Sequence, residues 1–162
     1  MSKIRFTEPN REILARRDSI INDLTRLVDP AGLITSTDEC RAYETDALTA
    51  YRKMPLAVVL PKTTEEVSAV LKYCHDTGVK VVPRGAGTSL AGGAIPSEDA
   101  VVLGLSKMNR VLAVNYDDRF IRVEAGVTNL SVTAVVAENG FFYAPDPSSQ
   151  LACTIGGNVA EN

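Results

Sequence analysis

The chain has 162 residues, 45% of them apolar and 23% charged, and a formal net charge of −3. Those proportions suit one domain with a real core, and neither the net charge nor any Lys/Arg run attracts nucleic acid or anionic lipid. No segment nears the ~18 consecutive apolar residues of a spanning helix, and Met1–Phe6 runs into a polar stretch, so the chain reads as soluble and cytoplasmic.

In chain order, Ile13, Leu14, Ile20, Ile21, Leu24, Leu27 and Val28 recur at helical spacing and predict one amphipathic helix from Asn10 to Val28, stopped by Asp29-Pro30. Ala57–Leu60 reads as a buried strand ended by Pro61. Thr63 followed by Glu66 is a capping box, and Val67, Val70, Leu71 and Cys74 form the apolar face of a helix reaching Gly78. Val79–Val82 is the next strand. Three more are expected at Val101–Leu105, Val111–Asn115 and Phe120–Glu124, with Tyr116-Asp117-Asp118 as the turn between the last two. Thr128 caps a helix through Asn139, closed by Gly140.

Cys40, Cys74 and Cys153 are odd in number and widely separated, so reduced thiols are expected rather than a disulfide framework or a metal site. The Asn129-Leu130-Ser131 sequon then has no glycosylation to receive. The single histidine, His75, falls off the apolar face of its helix and reads as solvated, which leaves no base for a Ser-His-Asp triad; a G-x-S-x-G elbow is absent as well. Cys40 sits in a polar segment, and Cys153 reads as a small, buried, inert thiol.

Two glycine-rich strings remain. Pro83-Arg84-Gly85-Ala86-Gly87-Thr88-Ser89 follows a strand directly, and Pro145-Asp146-Pro147-Ser148-Ser149 leads to Thr154-Ile155-Gly156-Gly157-Asn158. Neither is a Walker loop, since no Lys lies between Lys80 and Lys107; a dinucleotide fingerprint fails because Leu90 stands where its third glycine belongs. Exposed backbone beside short hydroxyl side chains suits a diphosphate held through amide N–H groups without a metal. A glycine-rich connection and a surface turn are the plain alternatives for each string.

With these strings, Tyr43–Arg52, Val59-Leu60-Pro61-Lys62, Tyr143–Gln150 and Gly156–Asn162, the chain from about Thr37 to Asn162 resembles the FAD-binding domain of the vanillyl-alcohol oxidase and p-cresol methylhydroxylase type. It is most similar to the flavin subunit of bacterial glycolate oxidase and its D-lactate dehydrogenase relatives. The resemblance implies an α+β domain of two small sub-sheets with flanking helices, residues 37–162, preceded by a helical arm, residues 1–36. It implies that Pro83 to Ser89 wrap the FAD diphosphate, that Asp146 to Thr154 line the flavin side, and that Gly157, Asn158, Glu161 and Asn162 complete the pocket. Pro145, Pro147, Ser148 and Ser149 belong to the same set. Thr88 stands where some relatives carry a tethering histidine, so FAD is expected to be noncovalent. No catalytic or metal residue is assigned.

In that family further strands and a cap domain carry the substrate-binding and proton-abstracting groups, so the expectation is a C-terminally incomplete domain that turns over little on its own. The parent reaction implied is oxidation of a small D-2-hydroxy acid, glycolate or D-lactate, by hydride transfer to flavin N5. Iron–sulfur and second flavin subunits are the implied partners, through which the protein would sit at the inner face of the membrane. A noncatalytic interaction module that uses the apolar face of the opening helix is the alternative.

Overall fold

The computed structural model describes residues 6–161. Its centre is a four-stranded sheet of β1 (Leu33–Ile34), β2 (Ala57–Val59), β3 (Lys80–Arg84) and β4 (Ala100–Gly104), in the order β1-β2-β4-β3. β4 runs parallel to both β2 and β3, and β1 pairs antiparallel with β2. A separate antiparallel hairpin joins β5 (Val111–Asn115) to β6 (Phe120–Val123). The architecture is α+β with two small sheets, as the sequence led us to expect.

Alternation along the strands divides the core between the sheet's two faces. Ala57, Val59, Val101 and Leu103 point to one face, packed with Ile20, Leu24, Val70 and Cys74 from the helices. Val58 and Val102 point to the other, against Cys40, Leu60 and Tyr43. Because both faces are covered, every residue of β4 is buried, which is why its sequence is continuously apolar.

The opening segment differs from the single predicted helix. Its chain breaks at Arg16 (φ −96°, ψ 9°) into α1 (Arg11–Ala15) and α2 (Arg17–Leu24), and α2 ends four residues before Val28. The break lets both Ile13 and Ile20 reach the sheet, where Ile20 and Leu24 have no exposed surface. The apolar face that motivated a docking role is therefore spent on the protein's own core. The carboxylate of Asp99, 1% exposed, pins the arm to the sheet by accepting from the Asn10 N–H (2.8 Å) and Ser97 Oγ (2.6 Å) and pairing with Lys80 (2.8 Å). Burial opposes its charge, but those donors outweigh burial and hold the carboxyl down at about 2.

After α3 (Thr37–Cys40) comes an irregular stretch leading into β2. Cys40 is only 1% exposed, so its polar neighbours in sequence misled; its thiol faces the sheet. α4 (Thr64–Thr77) starts as its capping signal predicts, with Thr63 Oγ1 accepting from the Glu66 N–H, though Glu66 reaches back to the Lys62 N–H rather than to that of Thr63. It ends at Gly78, whose φ of +74° favours glycine. Val70 and Cys74 face the core, Leu71 is largely exposed, and His75 is exposed. β3 and β4 are parallel neighbours, so residues 85–99 cross over between them without a helix, and the first glycine string opens that crossover.

α5 (Asn129–Val136) is capped by Thr128 and tightens into a 3-10 turn, Ala137–Asn139, before Gly140, so the predicted helix keeps its limits but not one geometry. The chain closes with α6 (Ile155–Glu161), a helix not anticipated from its paired glycines.

Candidate functional site

β3 delivers the first string. It is the edge strand, where Pro83 can lack an N–H without removing a central ladder bond, and the Arg84 carbonyl continues the pairing by accepting from the Leu105 N–H. Beyond it the chain turns sharply at Gly87, whose φ is +71°. Among the described residues, the N–H groups of Gly85, Ala86, Gly87 and Thr88 find no protein acceptor.

The second string is held by the start of α5. Asn129, 1% exposed, donates from Nδ2 to the Pro145 carbonyl (3.1 Å), and its own N–H bonds the Cys153 carbonyl (3.0 Å). Sequence reasoning met Asn129 only as a sequon; its place directly after the capping Thr128 was the signal that it could serve the site. Thr154 forms an isolated bridge with Thr128, and the N–H groups of Ile155 and Gly156 bond the carbonyls of Val127 and Ala125. Thr154 Oγ1 accepts from the Gly157 N–H (3.2 Å), starting α6.

The strings meet at Gly85 and Thr154. A Cβ on Gly85 would lie 2.5 Å from Thr154 Oγ1, and one on Gly156 would lie 2.8 Å from Ala125 Cβ. These two glycines serve chain-to-chain approach, which is more than the exposed-backbone role read from sequence. Farther along, Ser89 Oγ donates to Glu161 Oε2 (3.0 Å), closing a ring of contacts between the strings.

Between them lies a cavity of about 1220 Å³, larger than the ~300–1,000 Å³ usual for small-ligand pockets. Its wall includes Pro83 through Ser89, Pro145, Asp146, Pro147, Ser149, Thr154, Gly157, Asn158 and Glu161, all named from the sequence. Ser148 stands outside that wall, and Asn162 lies outside the described residues. Cys153, within the stretch expected to line the flavin side, is in the wall as well; Leu90, Leu105, Tyr143 and Gly156 line it too and were not assigned to it from the sequence. Among the described residues Arg84 is the only basic one in the wall, which also carries Asp146 and Glu161. Burial pushes its guanidinium below the ordinary arginine value, with the charges of Tyr43 and Asp46 acting against that shift. The buried Asn158 Nδ2 finds no partner among the described residues. Also among the described residues, no group of three His, Cys, Asp or Glu side chains could hold a metal ion, and no helix is long and apolar enough to cross a membrane.

Solved structures share this fold. Alkyldihydroxyacetonephosphate synthase superposes with a TM-score of 0.81 at 21% identity, over 97% of this chain and 30% of that one. Substrate-bound p-cresol methylhydroxylase gives 0.69 at 21% identity, over 82% and 26%. The 4-ethylphenol oxidase of Gulosibacter chungangensis gives 0.76 at 24% identity, over 93% and 29%. The fold is the one that p-cresol methylhydroxylase has. A family model described as an FAD binding domain matches residues 55–162, and the chain belongs to that family.

Among curated proteins, the chain is 48% identical over 146 residues to the glycolate oxidase subunit GlcD of Escherichia coli K12, covering 90% of this chain and 29% of that protein. It is 42% identical to GlcD of Bacillus subtilis, over 74% and 26%, and 35% identical to a D-2-hydroxyglutarate dehydrogenase of Xanthomonas citri pv. viticola, over 90% and 31%. The chain thus spans about 30% of the length of these relatives. FAD is the cofactor of the family, and the residues present fit it: open amides on the first string, a cavity of dinucleotide size, and the unpartnered Asn158 Nδ2.

Proposed function

We propose that this chain holds FAD for an oxidoreductase acting on a small D-2-hydroxy acid, glycolate or D-lactate. The observation that carries the reading is the meeting of two distant glycine strings, at Gly85 and Thr154, over one cavity. When bound, the flavin supplies the redox chemistry by accepting a hydride at N5. The substrate class comes from the relatives, which include glycolate oxidase subunits and a putative D-lactate dehydrogenase of Schizosaccharomyces pombe.

The chain's own part is binding and orientation. The free N–H groups of Gly85 to Thr88 take the diphosphate through amide donors. Asp146, Ser149 and Thr154 border the flavin side, and Asn158 offers its idle Nδ2 to a ring acceptor. The wall contains Thr88 and no histidine, which supports noncovalent attachment. We place the base that takes the substrate's proton outside these residues, so this chain alone turns over little. Residues 37–162 form the FAD-holding unit and residues 1–36 an arm. Iron–sulfur and second flavin subunits are the partners, at the cytoplasmic side of the membrane.

The test is anaerobic addition of glycolate or D-lactate to the FAD-loaded protein at its full natural length. Bleaching of the oxidised flavin band is expected. A flavin that stays oxidised with both acids, while dithionite reduces it, contradicts the substrate reading.

A further inference from the structure

The family match begins at residue 55, yet residues 43–48 lie directly against the first glycine string. Arg84 Nη1 donates to the Thr45 carbonyl (2.6 Å), and its guanidinium sits over the Tyr43 ring, 5.5 Å from the centroid. A Cβ at Gly87 would fall on the same guanidinium. The far end of the string is fixed by the same turn, where the Ala47 N–H donates to the Ser89 carbonyl (3.1 Å). The turn is in turn shaped by Asp46, 4% exposed, whose Oδ1 accepts from the Leu48 N–H (2.9 Å).

An arginine whose main role was to meet a phosphate would keep its fork free for the anion. This one commits an N–H to a backbone carbonyl, lies over an aromatic ring and abuts the turn at Gly87. We infer that Arg84 and the Tyr43–Leu48 turn form a latch that fixes the conformation of residues 85–89 before FAD arrives, so that Arg84 is a positioning residue and Tyr43, outside the cavity wall, sets cofactor affinity. This rests on the FAD reading above. A preformed loop binds more tightly because its ordering is already complete in the free protein.

The latch is tested by two measurements on the same full chain. The first is the exchange rate of the Ala47 amide in ligand-free protein, with β4 amides as the internal control for folding. The second is the dissociation constant for FAD, and for ADP as a probe of the diphosphate end. Arg84→Lys, which keeps the charge and loses the fork, should speed Ala47 exchange, leave β4 exchange unchanged, and weaken both ligands about tenfold. Tyr43→Leu should weaken them about threefold, and Tyr43→Phe, which keeps the ring, should restore wild-type binding. Normal Ala47 exchange and normal FAD affinity in Arg84→Lys would show that charge alone suffices and would overturn the latch. If Arg84→Lys fails to fold, the Tyr43 pair decides, and equal binding by the Leu and Phe variants overturns it. Failure of the wild type to bind FAD would instead refute the functional reading, and the exchange data would still judge the latch.

Discussion

β4 and β5 are equally apolar in sequence, Ala-Val-Val-Leu-Gly against Val-Leu-Ala-Val-Asn, yet every residue of β4 is buried and none of β5 is. The difference lies in what covers them. β4 runs between two parallel strands with helices on one face and the Cys40–Tyr43 segment on the other. The β5–β6 hairpin has a single partner strand and leaves Leu112 52% and Phe120 46% exposed, beside Phe142 at 75%. An apolar strand in a sequence therefore states a demand for burial, and the fold decides whether these residues meet it.

The largest effect that would sharpen this contrast comes from truncating the two regions. Leu24, with no exposed surface against the β4 side of the sheet, should lose about 2–5 kcal/mol as Leu24→Ala, because a cavity adds to the lost transfer energy. Leu112→Ala should cost no more than about 0.5 kcal/mol, as at other surface sites. Urea unfolding of both variants checks this, and equal costs would break the comparison.

A smaller effect is electrostatic and belongs to the same covered sheet. Asp99 is held down at about 2, below its unfolded value near 3.8, by donors from the arm, from Ser97 and from Lys80. Because the folded state binds this proton less readily, its contribution of about 2 kcal/mol is complete above pH 4 and is lost as pH falls toward 2. Asp99→Asn should therefore lower stability at neutral pH and flatten the acid limb of a pH–stability curve. An unchanged limb would contradict the staple.

Much of this was legible in the residues themselves. Alternation and capping signals located all strands but the two-residue β1, and α4 almost to the residue, because Thr63 and Gly78 act locally. The site was legible as two strings, since glycine beside short hydroxyls is a local signature. What sequence could not supply was non-local. The break at Arg16 follows from reaching the sheet with both halves of the arm, and Cys40 is buried by a strand that comes nearly twenty residues later. α6 was missed because paired glycines disfavour a helix by about 1 kcal/mol each; carbonyls of Ala125 and Val127 and the Thr154 hydroxyl hold it nonetheless. Asn129 likewise acquires its role only when Pro145 is folded against it.

The central claim, that two strings far apart in sequence form one FAD cradle, is tested most directly by amide exchange with and without FAD. The N–H groups of Gly85 to Thr88, which lack protein acceptors among the described residues, should exchange fast in the free protein and slow markedly on FAD addition, together with amides around Thr154 to Asn158 and with β4 unchanged. Protection of one string alone, or of neither, would contradict it.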